Sequence, residues 1–228
     1  MGSLTEFLIL DAGRVCSFEI DSRLVDILRE RFIRHENLEI INRNFLTYDL
    51  KMLKKSPDEK FRIISNIPYA VTTDIIARII ESRDMVSSTT ITVQKEYGLR
   101  LVGKPGTRAY SALTVFVNSY ANVDLLFNIT ASSFSPPPKV DSVVVKIDWK
   151  EKNPSMIYDS RDFSIFVKLL FSQRRKKIKN SIKTIMPDLE DEKIRQTFKS
   201  AGISPDSRPE VLTLEEFTEL FKTLKNDD

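Results

Sequence analysis

FRIISNIPY, residues 61–69, joins a short apolar run to a polar turn, and this junction indicates the fold of the chain. Residues 61–65 are typical of a buried strand, and the isoleucines between Ile75 and Ile80 keep the spacing of a helix. The same order recurs elsewhere, with strands predicted at 14–20, 38–42 and 89–94 and helices at 24–32 and 95–102. Alternating strands and helices predict an α/β fold with a mostly parallel sheet. Such sheets bind ligands at the carboxyl ends of their strands, where Asn66 stands.

The second half of the chain departs from this alternation. Residues 112–129 and 140–149 are β-rich and lack an intervening helical pattern, which predicts an antiparallel pair of strands at one edge of the sheet. Asn153-Pro154 is typical of a boundary, and apolar residues at helical spacing follow it. We therefore predict an α/β domain at residues 1–152 and a small all-helical domain at 153–228.

Composition excludes several classes of protein. Cys16 is the sole cysteine and His35 the sole histidine, which excludes an internal disulfide and argues against a zinc site, so no metal is predicted. A net charge of +3 over 228 residues is too small to indicate nucleic acid by itself. No apolar stretch reaches membrane-spanning length, and residues 1–5 lack the basic region of a signal peptide. We expect a globular, cytoplasmic protein that is a monomer.

The turn Asn66-Ile67-Pro68-Tyr69 suits methylation of an exocyclic amine on a flipped base. The amine of adenine is a poor nucleophile, so a site must hold its N–H groups with acceptors and aim the lone pair at an electrophilic methyl group. The Asn66 amide and the Ile67 carbonyl can accept those bonds. Pro68 favours an extended conformation at Ile67, and Tyr69 offers a face for stacking. The alternative is a strand that ends in a turn with no chemical role.

Two further features allow both a functional and a structural interpretation. Glu19 ends a predicted strand, where nucleotide-binding folds place a carboxylate that accepts from ribose hydroxyls, whereas Asp21 is suited to cap the next helix. Three prolines at 136–138 stiffen the segment 133–142. Phe134 is then either a stacking platform for a base or a core residue.

A dense basic run follows the first C-terminal helical pattern. Its cations lack nearby acidic partners in the sequence, and Ile178 and Ile182 keep helical spacing. The run predicts contacts with nucleic-acid phosphates, the alternative being a solvated face. The predicted RNA-binding residues are Arg174, Arg175, Lys176, Lys177 and Lys179.

In this order the motifs resemble those of the small-subunit ribosomal RNA adenine N6,N6-dimethyltransferase family, the KsgA type, whose relatives include the Erm methyltransferases. The resemblance covers nearly the whole chain and rests on residues 2–5, 18–21, 66–69, 94–96, 133–142 and 173–176. It implies a Rossmann-like methyltransferase sheet with a small helical rRNA-binding domain. It also implies S-adenosylmethionine as cofactor and, as substrate, two adjacent adenosines near the 3′ end of small-subunit rRNA, modified during ribosome biogenesis.

The resemblance also assigns roles to single residues. Asn66 and the carbonyl of Ile67 are expected to orient the target amine, with Pro68 in the same catalytic motif. Tyr69 and Phe134 are expected to sandwich the base. The residues expected to bind the cofactor are Gly2, Glu19, Ile20, Asn44 and Asn66.

Two departures from the family pattern carry expectations of their own. Family members begin with additional residues that include a central strand and a Gly-x-Gly turn, whereas this chain begins at the last glycine of that motif. We expect its neighbouring strands to lack hydrogen-bond partners and cofactor binding to suffer. Asn44 stands where the family usually has an aspartate that accepts from the cofactor adenine, so we expect reduced affinity rather than none.

Two alternatives of other classes stay open. One is a non-catalytic assembly factor of the small subunit, or an inactive fragment, which cofactor binding would separate from an enzyme. The other is an Erm-like enzyme that modifies large-subunit rRNA. The segment 133–142 and the helical extension from Arg161 onward favour the small-subunit family.

Overall fold

The computed structural model of the chain describes residues 2–151 and 161–225, and it divides the chain into two compact units, Met1–Ser87 and Ser88–Asp228. The predicted domain boundary at residues 152 and 153, with its Asn153-Pro154 signal, lies outside the described residues. That boundary therefore stays a prediction.

The described part of the first unit contains three α-helices, the paired strands β1 and β2, and the strand β3. Strands β1 and β2 run parallel, with Phe18 opposite Ile41 at their carboxyl ends. Asp21 begins α2 as predicted, because its carboxylate accepts from the Arg23 N–H at 3.0 Å. The bounds are α1 (Ser3–Asp11), β1 (Val15–Phe18), α2 (Ser22–Arg31), β2 (Leu38–Ile41), β3 (Phe61–Asn66) and α3 (Thr72–Glu81).

The helix α1 was not predicted from the sequence. It begins at Gly2, whose φ of 73° lies in the left-handed region. A Cβ atom there would lie 2.8 Å from the ring of Phe32, so both the backbone and the packing select glycine. Ile9 on α1 is buried with Leu28 and Phe32, which fixes the helix to its own unit. In the described residues β1 pairs with β2 in a two-stranded sheet.

The second unit combines antiparallel strands with the C-terminal helices. Strand β6 lies between β4 and β5 and is antiparallel to both, which confirms the predicted antiparallel pair at a sheet edge. The elements are β4 (Val86–Gln94), which begins in the first unit, α4 (Lys95–Leu101), α5 (Ala112–Tyr120), β5 (Ala121–Ile129), β6 (Ser142–Trp149), α6 (Arg161–Ser172), α7 (Ile178–Ile185), α8 (Asp191–Ala201) and α9 (Leu214–Lys225). The α/β class and the helical C-terminal region are confirmed.

The prediction of β structure throughout 112–129 is wrong in its first half, because residues 112–120 form α5. Ser111 and Thr114 close a capping box at its start, and the Thr114 hydroxyl also donates to the carbonyl of Arg100. Val115 is then buried in a core formed mainly by the C-terminal helices. Capping and burial override the local preference of Val115 and Val117 for a strand.

The core of the second unit is dominated by large apolar side chains from α6 to α9. Phe217 and Leu170 are fully buried in it. Tyr110, which precedes α5, lies in the same core and donates its hydroxyl to the carbonyl of Leu212 at 2.7 Å. None of the helices within residues 2–151 and 161–225 is both long and apolar enough to cross a membrane.

Candidate active site

Asn66 is the last residue of β3, and its side chain is exposed. The next side chain, Ile67, is only 2% exposed, so it anchors the turn in the first unit. Pro68 has φ of −59°, and its carbonyl accepts from the Val71 N–H at 3.1 Å. Tyr69, half-buried, opens a short 3-10 turn before α3. The buried side chain of Ile67 thus fixes the turn, while the side chain of Asn66 remains exposed.

Glu19 follows β1, and its carboxylate organises the turn into α2. Its Oε1 accepts from the backbone N–H groups of Ile20 and Asp21 at 2.8 and 2.9 Å. The second oxygen, Oε2, accepts neither of these bonds and can accept from a ligand hydroxyl. Ile20 beside it is 68% exposed and so presents an apolar surface next to the Glu19 carboxylate.

Asn42 holds this turn from the neighbouring strand. Its Nδ2 donates to the carbonyls of Glu19 and Ile20 at 3.0 and 3.3 Å. The sequence analysis assigned Asn42 no role. The available signal was its position, directly after β2 at the edge where Glu19 follows β1.

Asp21 is both a helix cap and an ion-pair partner. Its carboxylate accepts from Nε and Nη2 of Arg23 at 3.1 and 2.7 Å. The Arg23 side chain, together with its backbone N–H, lowers the pKa of Asp21. Asp21 is therefore engaged in holding the start of α2, in agreement with the capping role that the sequence allowed.

Asn44 lies in a loop that is held by its own backbone and by aromatic packing. The Asn44 Oδ1 accepts from the Leu46 N–H at 3.0 Å. The ring of Phe18 contacts the rings of Phe45 and Tyr48 with centroids 5.5 and 5.1 Å apart. Arg78 on α3 also donates to the carbonyl of Tyr48 at 2.8 Å. The loop after β2 is thereby tied to the last residue of β1.

Phe134 lies in the second unit, where a short 3-10 turn follows β5. Its backbone N–H donates to the carbonyl of Ala131 at 3.2 Å, and its ring is half-buried rather than part of the core. The Asp141 carboxylate accepts from the Ala131 N–H at 3.0 Å, and the Asp141 carbonyl accepts from the Lys95 N–H at 2.9 Å. Asp141 thus fixes the Phe134 turn to the start of α4.

The segment around Lys95 is itself held close to the sheet. Gly98 on α4 is buried, and a Cβ atom there would collide with Cγ1 of Val143 on β6. The close approach of α4 to β6 therefore requires glycine at this position.

The basic run has acidic partners, which corrects an observation made from the sequence. Residues 173–177 form the turn between α6 and α7, and the partners come from residues 206 and 210, too far along the chain to be recognised there. Glu210 pairs with Arg174 at 2.5 Å. Asp206 pairs with Lys177 and Lys179 at 3.1 and 2.9 Å. These two lysines, Lys179 the more strongly, lower the pKa of Asp206.

Arg174 differs from its neighbours in having a structural role. Besides Glu210, its guanidinium donates to the carbonyls of Thr107 and Arg108 at 3.1 and 3.3 Å. Arg175 and Lys176 are exposed to solvent. The turn thus presents some cations outward, while Arg174 holds it against the loop before α5.

Arg174 and Arg175 are therefore expected to respond differently to alanine. Arg174→Ala should lower the free energy of unfolding by about 1–3 kcal/mol, because Glu210 and two carbonyls lose a charged donor. Arg175→Ala should change stability by less than about 0.5 kcal/mol and reduce the salt dependence of RNA binding by about one ion. Urea denaturation and RNA binding over a salt series measure both. Equal losses of stability in the two variants would contradict this division.

The predicted residues are thus distributed over the two units. Gly2, Glu19, Ile20, Asn44 and Asn66 to Tyr69 belong to the first, and Phe134 and the basic run belong to the second. Gly2 lies at the start of α1, and its role toward a cofactor stays a prediction, as does the sandwich of a base between Tyr69 and Phe134. In the described part of the chain, no cluster of His, Cys, Asp or Glu side chains could hold a metal ion.

A comparison with protein families assigns the chain. The model for "Ribosomal RNA adenine dimethylase" matches residues 1–226. The chain belongs to this family. The protein named ribosomal RNA small subunit methyltransferase A of Caldanaerobacter subterraneus is 36% identical over 98% of this chain and 83% of its own length. The protein of the same name from Staphylococcus epidermidis is 34% identical over 99% of this chain and 78% of its own length.

Solved structures agree with the family. A dimethyladenosine transferase from Plasmodium falciparum superposes with a TM-score of 0.77 at 25% identity, over 99% of this chain and 86% of that one. The 23S rRNA methyltransferase ErmE superposes with a TM-score of 0.72 at 25% identity, over 98% of this chain and 86% of that one. The fold of this ribosomal RNA adenine dimethylase is therefore that of S-adenosylmethionine-dependent methyltransferases, as the motifs predicted.

Proposed function

We propose that this chain transfers methyl groups from S-adenosylmethionine to N6 of two adjacent adenosines near the 3′ end of small-subunit rRNA, during ribosome biogenesis. The observation that carries the proposal is the turn at the end of β3. There the exposed amide of Asn66 is fixed by the buried side chain of Ile67. The names of the small-subunit relatives support the choice of rRNA. We propose further that the protein acts as a cytoplasmic monomer.

The residues at the ends of β1 and β2 fit the cofactor. Oε2 of Glu19 is suited to accept from the ribose hydroxyls, because the two backbone N–H groups bind the other oxygen and fix the carboxylate. The exposed side chain of Ile20 is suited to pack against the adenine, and Asn42 keeps both residues in place. When bound, S-adenosylmethionine supplies an activated methyl group on its sulfonium.

The chain's own residues account for the remaining chemistry. The Asn66 side-chain oxygen and the Ile67 carbonyl would accept from the two N–H groups of the target amine and so direct its lone pair. Tyr69 and Phe134 would hold the base by stacking. As the amine becomes transiently cationic, aromatic faces and carbonyl dipoles stabilise the charge. Positioning supplies most of the acceleration, since no strong base is needed to activate the amine.

The decisive experiment is transfer of labelled methyl to undermethylated small ribosomal subunits by the 228-residue chain. Label should be recovered as N6,N6-dimethyladenine. Fully dimethylated small subunits are the matched control and should accept none. Large ribosomal subunits, used as acceptor, test the alternative of an Erm-like enzyme, which the likeness to ErmE allows. If only the large subunit is labelled, the proposal is wrong and the activity is Erm-like. If the chain binds small-subunit rRNA but transfers no label, it is an assembly factor.

Asn44→Asp is expected to tighten cofactor binding about fivefold, as one additional hydrogen bond to a charged acceptor would do. The single acceptor oxygen of the Asn44 amide already binds the Leu46 N–H, whereas a carboxylate has a second oxygen to accept from the adenine amine. Titration calorimetry with S-adenosylmethionine measures the change. Asn128→Asp on β5 is the control, since it adds the same charge in the second unit. Unchanged affinity would remove Asn44 from the cofactor site.

A further inference from the structure

A cleft of about 510 Å³ lies in the second unit, beside the turn that carries Phe134. Lys95 and Leu99 of α4 line one side, and Ala131, Lys139 and Val140 line the other. Its volume falls in the range of sites that hold small organic ligands of nucleotide size. None of these residues has a role in the function proposed above.

The charges of the cleft favour an anionic ligand. Its two acidic side chains are engaged within the protein: the Glu96 carboxylate accepts from Arg100 at 2.7 Å, and the Asp141 carboxylate accepts from the Ala131 N–H. Lys95 and Lys139 are exposed, and within residues 2–151 and 161–225 neither ammonium group forms an ion pair. Asp141 keeps its negative charge, so the lining carries two ammonium groups against one carboxylate without a cationic partner, and the ammonium groups suit phosphate oxygens.

The apolar lining adds a second preference. Leu99 and Val140 are 43% and 46% exposed, so each leaves an apolar surface open beside the lysines. A phosphate alone would not cover these side chains, whereas a base or a ribose would. Ammonium groups beside open aliphatic side chains suit a nucleotide, whose phosphate binds the lysines while its base covers Leu99 and Val140.

The position of the cleft indicates which nucleotide of a bound RNA it would receive. Ala131 lines the cleft, and its carbonyl accepts from the Phe134 N–H at 3.2 Å, so the platform and the cleft share one turn of backbone. Asp141 also lines the cleft and fixes that turn through the Ala131 N–H. The cleft therefore lies close enough to Phe134 to receive the nucleotide next to a base that stacks on this ring.

We propose that the cleft binds the nucleotide adjacent to the target adenosine, with Lys95 and Lys139 at its phosphates and Leu99 and Val140 against its base. The inference rests on the proposed function for the identity of the RNA. It adds a second recognition site, which holds one of two neighbouring adenosines while the other is at Phe134. Recognition of the pair, rather than of a single base, follows from this arrangement.

The test pairs a protein variant with an RNA change. The RNA is a stem–loop with two adjacent adenosines in its loop, prepared intact and with the base removed at either adenosine. Removal of the neighbouring base should weaken binding to the wild-type chain about tenfold, the loss expected when the base no longer covers the aliphatic side chains of Leu99 and Val140. In Val140→Asp the contact is already broken, so the same RNA change should cost less than about twofold. Fluorescence anisotropy measures the six dissociation constants, for two proteins and three RNAs, without requiring turnover.

Controls separate this contact from general effects. Leu126→Asp on β5, at 48% exposure, introduces the same charge at an exposed apolar position and should keep the tenfold penalty. Lys139→Ala should reduce the salt dependence of binding by about one ion, whereas Lys199→Ala on α8 should not. An equal penalty in the wild type and Val140→Asp, or no penalty in either, would overturn the inference. If base removal weakens binding about tenfold in the wild type but not in Val140→Asp, and small subunits are not methylated, the proposed function is wrong while the nucleotide site is still supported.

Discussion

Asn66→Ala is expected to lower kcat/KM for methyl transfer to small subunits at least about a hundredfold, the usual cost of removing one preorganised polar group from a reacting centre. In the proposed function, the amide oxygen of Asn66 is the side-chain acceptor that orients the target amine. Alanine leaves one N–H of the amine without a partner and its lone pair free to turn away from the methyl group. Because the Asn66 side chain is exposed and Ile67 anchors the turn, the fold should not change.

The measurement is single-turnover methyl transfer combined with thermal unfolding. Asn122→Ala is the matched control, since Asn122 is also an exposed asparagine in a strand, on β5 of the second unit. The control should retain wild-type rates. Activity of Asn66→Ala within about threefold of the wild type would exclude the amide from the orienting role, because a lost hydrogen bond to a reacting group costs more than that.

Phe134→Ala is expected to reduce kcat/KM by about tenfold to a hundredfold, the energy of one stacked base. The Ala131 carbonyl binds the Phe134 backbone N–H and Asp141 fixes the same turn, so the backbone that carries the half-buried ring is held in place. Phe134→Trp should retain most of the activity, because a larger aromatic face still stacks. Cofactor affinity should be unchanged in both variants, since the predicted cofactor residues belong to the first unit.

A matched variant is available for this test as well. Phe127→Ala removes an exposed ring from β5 and should leave methyl transfer unaffected. Rates and calorimetric cofactor affinities are measured for Phe134→Ala, Phe134→Trp and Phe127→Ala. Full activity of Phe134→Ala would show that the ring only packs against the protein, the structural alternative that the sequence left open.

The sequence predicted most of the fold because apolar spacing reports directly on burial. The apolar run 61–65 and the isoleucines of α3 predicted the strand and the helix beside Asn66 in their observed places. It failed at 112–120, where Val115 and Val117 favour a strand locally but a capping box and the C-terminal core select a helix. It also missed α1, whose apolar residues are distributed around the helix without a clear buried face.

The supporting residues of the site were harder to predict than the motifs themselves. Asn42 reaches Glu19 from 23 positions away, and Glu210 reaches Arg174 from 36. Neither pair has a local pattern in the sequence, because each depends on how separate elements pack. A basic run could therefore be recognised, whereas the carboxylates that neutralise part of it could not.

Asp141 fixes both ends of the segment 131–141, and this affects how substrate preference can diverge. Its side chain holds Ala131 and its backbone holds Lys95, so both ends of the segment are fastened independently of the residues between them. Insertions or exchanges within 135–139 would reshape the surroundings of Phe134 without disturbing the strands on either side. The same scaffold can in this way carry different RNA specificities, with one short loop as the part that changes.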